Sequence, residues 1–277
     1  MALELDGAVA GVTGGARGIG LATAAELAER GTTVWIGDLD ADEAERAADR
    51  LGDEVRSAPL DVTERDSFAA FLDAVEAASG PPDVLVNNAG IMPLGAFLDE
   101  NEEVSERTIA VNLAGVINGM RLALPGMVER RRGHIVNLSS MMAKLPVPGA
   151  AVYTATKHAV LGLTDTVREE VAGSGVTLTT VLPSITRTEL ISGIPLPRGV
   201  PTTAPEDVAR AIADSCANGR KQVPVPRWLG AYDAVDAALP DRVLGAVRRV
   251  LDDRRALDRL DAEARADYER RARGDPE

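Results

Sequence analysis

The chain has 277 residues and a formal net charge of −13, from 30 basic and 43 acidic side chains. That length buries a full core without disulfide or metal staples. The acidic balance speaks against nucleic acid or an anionic membrane as main partner, since both require a basic face.

The single Cys216 excludes an internal disulfide framework and fits a reducing cytoplasm. Two scattered histidines, His134 and His158, are too few for a histidine metal site, and no metal is expected. The opening Met-Ala-Leu-Glu-Leu-Asp has neither the basic nor the apolar region of a secretory signal. No run reaches the ~18 apolar residues of a membrane helix, so no membrane segment is expected.

Taken in order, Ala8–Thr13 is a short apolar run that reads as a buried strand. Gly14-Gly15-Ala16-Arg17-Gly18-Ile19-Gly20 follows, and then helical composition from Leu21 to Arg30. Strand, glycine-rich turn and helix make a phosphate cradle, because bare backbone approaches the anion and the helix start offers free N–H groups. The same spacing also serves a tight structural turn. Thr33–Gly37 reads as a second strand ending at Asp38. A carboxylate at this offset bonds adenosine ribose hydroxyls and repels a 2′-phosphate, which favours NAD over NADP. Asp40 and Asp42 add negative charge, and Arg17 is the opposing cation. Asp38 also reads as an N-cap for a helix over Ala41–Leu51.

A third strand, Val55–Pro59, leads to Leu60-Asp61-Val62. Asp61 reads either as an acceptor for an adenine amino group or as a cap for a helix over 64–79. Asp83–Asn87 is a fourth strand, ending in Asn87-Asn88-Ala89-Gly90, whose small residues suit close approach to a ligand. A long helix over about 102–131 carries Asn112, a polar residue in an apolar setting that calls for a reason. Gly133–Ser140 is the fifth strand. A helix reaching about Ser174 and a sixth strand, Val176–Leu182, complete the alternation. The expectation is an α/β fold: one doubly wound, Rossmann-like parallel sheet with ligands at the strand C-termini.

Tyr153 and Lys157 stand four apart, hence on one helix face. A phenol titrates near ~10, and an adjacent cation lowers that value toward use as a base. The chain has only three lysines, Lys144, Lys157 and Lys221, so an ammonium here stands out from the arginine habit. An ordinary surface pair is the alternative.

Residues 183–205 are proline-rich and apolar (Leu190, Ile191, Ile194, Leu196, Val200), and read as a substrate lid. Ala204–Ala217 reads as a helix and Gln222–Val225 as a last strand. From Trp228 the texture is helical. Val243, Leu244, Val247, Val250 and Leu251 make an apolar stripe, and Leu257, Leu260, Ala264 and Tyr268 a thinner one. Residues 1–227 thus form the nucleotide-binding domain, and 228–277 a helical extension packed on that domain or on a sister subunit.

These motifs resemble the short-chain dehydrogenase/reductase family. Thr13–Gly20 is similar to its TGxxxGxG, Asn87–Gly90 to its NNAG, and Asn112, Ser140, Tyr153 and Lys157 to its catalytic tetrad, over residues 5 to about 225. The resemblance implies NAD held by Gly14, Arg17, Gly18, Ile19, Gly20, Asp38, Asp61, Val62, Asn88, Ala89, Gly90, Tyr153, Lys157 and Thr188. It implies that Tyr153 moves the substrate proton, Ser140 holds the substrate oxygen, Lys157 tunes the tyrosine, and Asn112 positions a water. It further implies a homo-oligomer, dimer or tetramer, paired through helices 102–131 and 152–174. Pro183-Ser184 stands where the family has Pro-Gly. The apolar lid, with Arg187 and Arg198 its only arginines, favours an uncharged secondary alcohol or ketone; an acyl thioester or a steroid stays open. So do a non-catalytic dinucleotide sensor or scaffold and isomerase or dehydratase chemistry.

Overall fold

The computed structural model describes residues 3–196, 202–232, 238, 242 and 255–273. Seven strands form one sheet: β1 (Val9–Thr13), β2 (Thr33–Asp38), β3 (Val55–Pro59), β4 (Val84–Asn87), β5 (Gly133–Leu138), β6 (Val176–Pro183) and β7 (Gln222–Val225). All pairings are parallel, in the order β3-β2-β1-β4-β5-β6-β7. The central strands β1, β4 and β5 are buried at every position because helices cover both faces. The order reverses between β1 and β4, and a sheet of this kind binds ligands outside the strand C-termini at that point.

Helices α1 (Gly18–Glu29), α2 (Ala41–Leu51) and α7 (Pro205–Asn218) cover one face through Ala24, Leu27, Ala44, Ala47, Val208 and Ile212. Helices α3 (Arg65–Ser79), α5 (Gly115–Glu129) and α6 (Ala151–Glu170) cover the other through Phe68, Phe71, Met120, Met127 and Val160. In α2 only the alanines are buried, so the charged remainder makes a one-sided helix.

The single helix expected over 102–131 is three pieces. Glu102–Ile109 (α4) passes through a π turn, Ala110–Ala114, into α5. Asn112 lies in that turn, fully buried. The widened turn gives a polar residue its place inside an apolar helix, and such bulges gather at functional sites. The continuous Glu102–Glu129 run is long and apolar enough to cross a membrane, with mean hydropathy 1.2 over its best window. It packs on α3, α6, β4 and β5, as a sheet-covering helix does.

Two capping expectations are corrected. Asp40, not Asp38, caps α2 by accepting from the Glu43 N–H. Asp61 accepts from the N–H and hydroxyl of Thr63 and caps that turn, while Glu64 precedes α3. Helix α6 stops at Glu170, short of Ser174. Beyond β7 the described chain has helical turns at Arg227–Ala231 and Arg255–Asp258, and helix α8 (Ala262–Arg273). The apolar stripe at Val243, Leu244, Val247, Val250 and Leu251 lies outside the described residues, as do Val200 and Arg198 of the lid.

Candidate active site

The glycine turn after β1 closes onto the end of β4. Gly14 has φ +62°, and a β-carbon there would lie 2.8 Å from the Ala89 Cα. A β-carbon on Gly20 would lie 2.1 Å from the Gly14 carbonyl oxygen and 2.6 Å from Asn88 Nδ2. Asn88 donates its side-chain amide to the carbonyls of Thr13 and Gly14. The Thr13 hydroxyl accepts from the N–H groups of Asn88 and Ala89. Helix α1 starts with no side-chain cap and no acid in its first turn. Its N–H groups and positive end therefore face outward without an internal anion, which fits a dinucleotide phosphate. Ile19 packs into the core beneath, and Thr188 meets Gly18 from the lid, its Cγ2 being 3.2 Å from where a β-carbon would stand.

At the end of β2 the Asp38 carboxylate accepts from the Ala16 and Asp40 N–H groups. Burial nevertheless holds its pKa above the ordinary carboxylate value. Arg17 is bound to Asp40 at 2.6 Å, an ion pair that lowers the Asp40 pKa. Val62 is buried against Gly115 beside Asp61.

Four residues gather at the end of β5. Tyr153 sits in the first turn of α6 and Lys157 one turn on, both buried. Ser140 is near enough to the Tyr153 hydroxyl to lower its pKa, and it caps the short turn after β5 by accepting from the Met142 N–H. Lys157 Nζ lies 5.6 Å from the Tyr153 ring centroid and donates to the Leu138 carbonyl at 2.9 Å. The Ser139 hydroxyl holds the Lys157 carbonyl and so fixes α6 to β5. Gly90 backs onto both Lys157 Nζ and Asn112 Oδ1.

Two expectations change here. Burial pushes the Tyr153 phenol up to about 12, against the lowering effect of Ser140, so Lys157 does not make it acidic in this arrangement. Burial also brings the Lys157 ammonium down to about 8. The Asn112 side chain accepts from the Ile91 N–H and donates to the Ile91 carbonyl and the Thr156 hydroxyl. It pins the loop after Gly90, and its amide nitrogen is already committed to protein partners. Ser184 needs no special backbone: among the described residues Arg131 is the one non-glycine with positive φ, and the Ser184 N–H donates to Val225.

The family model for short chain dehydrogenase matches residues 8–196. The chain belongs to the short-chain dehydrogenase family. It is 35% identical over 221 residues to the 3-oxoacyl-(acyl-carrier-protein) reductase FabG of Vibrio cholerae, covering 76% of this chain and 90% of that protein. It is 40% identical over 186 residues to EphD of Mycobacterium tuberculosis, covering 65% of this chain but spanning only 31% of that relative's length. Its fold is similar to the crystal structure of a 3-ketoacyl-(acyl-carrier-protein) reductase from Brucella melitensis complexed with NADH. That likeness has a TM-score of 0.75 and 30% identity, and covers 80% of this chain and 97% of that one.

The match to the dehydrogenase family model ends before the C-terminal arm, which packs onto the loops around Tyr153. Met92, Ala150 and Tyr153 form one apolar cluster, with Leu94, Met142, Leu190, Ile191 and Ile194 against it. The inward face of α8 is Arg265, Tyr268 and Ala272; Ala264, expected in the stripe, is exposed. Arg265 was hidden from the apolar-stripe reading because a charged residue counts as solvent-facing. Its spacing of three and seven to Tyr268 and Ala272 was the one signal available.

Proposed function

We propose that this short-chain dehydrogenase passes a hydride between NAD and an uncharged secondary alcohol or ketone. The observation that carries the reading is the gathering of Tyr153, Ser140 and Lys157 at the end of β5, with Gly90 joining Lys157 to the loop that closes the glycine cradle. A nicotinamide bound along that cradle supplies the hydride carrier. Tyr153 is a neutral phenol at physiological pH, the form that donates a proton to a carbonyl oxygen. Ser140 holds the same oxygen and stabilises charge as it develops. In oxidation Tyr153 must first lose its proton, a loss that Ser140 favours against the effect of burial.

NAD rather than NADP is supported by Asp38 at the end of β2 and by Arg17, whose charge is already met by Asp40. Apolar walls around Tyr153 support an uncharged substrate. Pairing of α4, α5 and α6 with a second copy is supported by outward apolar side chains, Ile109 and Val128. Setting and partners follow the same reading: a small molecule in the cytoplasm.

The test follows reduced-nicotinamide absorbance with NADH and NADPH against a panel of ketones, including a 3-oxoacyl thioester because relatives named above are reductases of that class. Consumption of NADH with a free ketone is expected. Cofactor binding with no turnover across the panel would point to a sensor or scaffold. Substrate conversion without net cofactor change would point to isomerase or dehydratase chemistry.

A further inference from the structure

Arg265 heads the fully buried side chains of the described residues when these are ranked by volume, and it lies in the arm beyond the family match. Its Nε donates to Glu269 at 2.6 Å and its Nη1 to the Leu190 and Ser192 carbonyls, each at 2.9 Å. Its Nη2 donates to the Met92 carbonyl. The Tyr268 ring lies 4.4 Å from the guanidinium carbon, and its hydroxyl accepts from the Met92 N–H at 2.7 Å. Two side chains of α8 thus hold both backbone groups of Met92 and join that loop to the one at 190–192. Further ties follow the same seam: Asp261 N–H to the Gly193 carbonyl, the Ser192 hydroxyl to the Ala264 carbonyl, and Arg271 to Glu189. Leu257 packs on Gly149, beside Ala150.

All these loops border Tyr153. A buried guanidinium beside a reacting centre invites the reading of an anion receptor for a substrate carboxylate. Its donors argue otherwise: they are directed at three backbone carbonyls and Glu269, so the charge is met inside the protein. The wall presented to Tyr153 is Met92, Leu94, Met142, Leu190, Ile191 and Ile194.

We infer that the C-terminal arm is a specificity clamp, in which Arg265 and Tyr268 hold the loops around Tyr153 closed so that the site admits a compact, free, uncharged ketone or alcohol and shuts out a bulky acyl thioester. The inference rests on the oxidoreductase reading above. Arg265 and Tyr268 are positioning residues: they touch the loops, and the loops touch the substrate. Removing the guanidinium takes its donor from the buried Met92 carbonyl and from the half-buried carbonyls of Leu190 and Ser192, and releases the seam.

The test compares wild type with Arg265→Ala and Tyr268→Phe in the full chain. The kcat/KM ratio for a 3-oxoacyl-coenzyme A over a small ketone should rise by about tenfold or more in Arg265→Ala, within the range a pocket's size selection allows. Tyr268→Phe should move the ratio the same way by less, and NADH affinity should stay constant in both, since among the described residues the hydrogen bonds and ion pairs of α8 go to other loops than the glycine cradle. A parallel fall on both substrates, with the ratio fixed, would show a merely structural role and overturn the clamp. So would a selective loss of substrates bearing a free carboxylate, which would make Arg265 an anion receptor. The second readout needs no turnover. Met92 is 3% exposed, as is Met120 of the core, while Met127 has no exposure. Peroxide oxidation followed by peptide mass spectrometry should be faster at Met92 in Arg265→Ala and unchanged at Met120 and Met127. An unchanged Met92 rate would overturn the clamp. Met92 deprotection together with a wild type that turns over nothing would support closure and sink the oxidoreductase reading instead.

Discussion

Between β1 and β4 the site is made of backbone. Gly14, Gly18 and Gly20 remove side chains, Asn88 braces two carbonyls, and the start of α1 is left uncapped. From β5 onward it is made of side chains, buried or half-buried, that titrate or carry charge: Tyr153, Lys157, Arg265 and Tyr268. The first half recognises by shape and by the fixed potential of a helix start, neither of which changes with pH. The second half works by holding or moving protons and by meeting a buried charge. Perturbations should therefore divide: added volume should damage the first half, and pH or loss of a functional group the second.

The largest effect is expected on the second side. Tyr153→Phe removes the proton donor and leaves the ring, so turnover should fall by ~10²–10⁴-fold while NADH affinity holds. Near-normal turnover would remove Tyr153 from the role. On the first side, Gly20→Ala would drive a β-carbon into the Gly14 carbonyl and the Asn88 amide. Overpacking of this kind costs about 1–3 kcal/mol. NADH affinity and Tm should drop together, with the pH dependence of the remaining activity unaltered. A Gly20→Ala enzyme with a displaced pH profile would erase the distinction between the halves.

The halves also differ in how far the chain could be read without coordinates. The cradle is local: its glycines, the acid at Asp38 and the Asn88-Ala89-Gly90 stretch lie at strand ends, and strand ends are visible as limits of apolar runs. The Tyr153–Lys157 spacing is local too. What escaped depends on distant partners. Asn112 looked like an anomaly in a helix until the π turn at Ala110–Ala114 gave it Ile91 and Thr156. The Tyr153 phenol was expected to be acidified by Lys157, but burial, invisible in a pentapeptide, raises its pKa instead. Arg265 meets its carbonyl partners 73 to 173 positions away, and its helical spacing to Tyr268 and Ala272 is a faint signal beside a charge that normally faces solvent. Asp38 and Asp40 sit two apart, and which one caps α2 turns on backbone angles that composition does not carry.

His134, at the start of β5 and away from the site, brings pH in through stability instead. Its Nδ1 lies 2.6 Å from the Thr177 hydroxyl and its Nε2 3.0 Å from that of Ser215. The Ser215 hydroxyl already donates to the Ile212 carbonyl, so it accepts from Nε2–H, and the Thr177 hydroxyl donates to Nδ1. Burial holds the ring neutral, with its pKa lowered to about 4. The unfolded chain binds the proton below ~6.5 and the folded chain only below the lowered value. Between those limits the unfolded state carries more protons, so stability falls as pH falls. From pH 7 to pH 5 the loss from this one group is about 2 kcal/mol. Urea unfolding at the two pH values should show it, and His134→Gln should shrink it. An equal loss in the variant would assign the pH sensitivity elsewhere.

The smallest expected effect tests the first half at its one charged seam. Asp40 does two things: one carboxylate oxygen caps α2 through the Glu43 N–H, and the other holds the Arg17 guanidinium. Asp40→Ala loses the cap, a cost of ~1 kcal/mol, and an ion pair at a partly exposed site that adds little more. It also frees Arg17 beside the place where a ribose 2′ position would lie. Asp38 stays, held by the Ala16 N–H and still repelling a 2′-phosphate. The ratio of NADH to NADPH affinity should therefore narrow without inverting, and titration of both cofactors by fluorescence would read it. An unchanged ratio would mean that Arg17 lies outside the cofactor's reach and that Asp38 alone sets the preference. An inverted ratio would mean that a single unpaired guanidinium outweighs the buried carboxylate. The cradle half would then be governed by charge after all, and its difference from the proton-handling half would be one of degree.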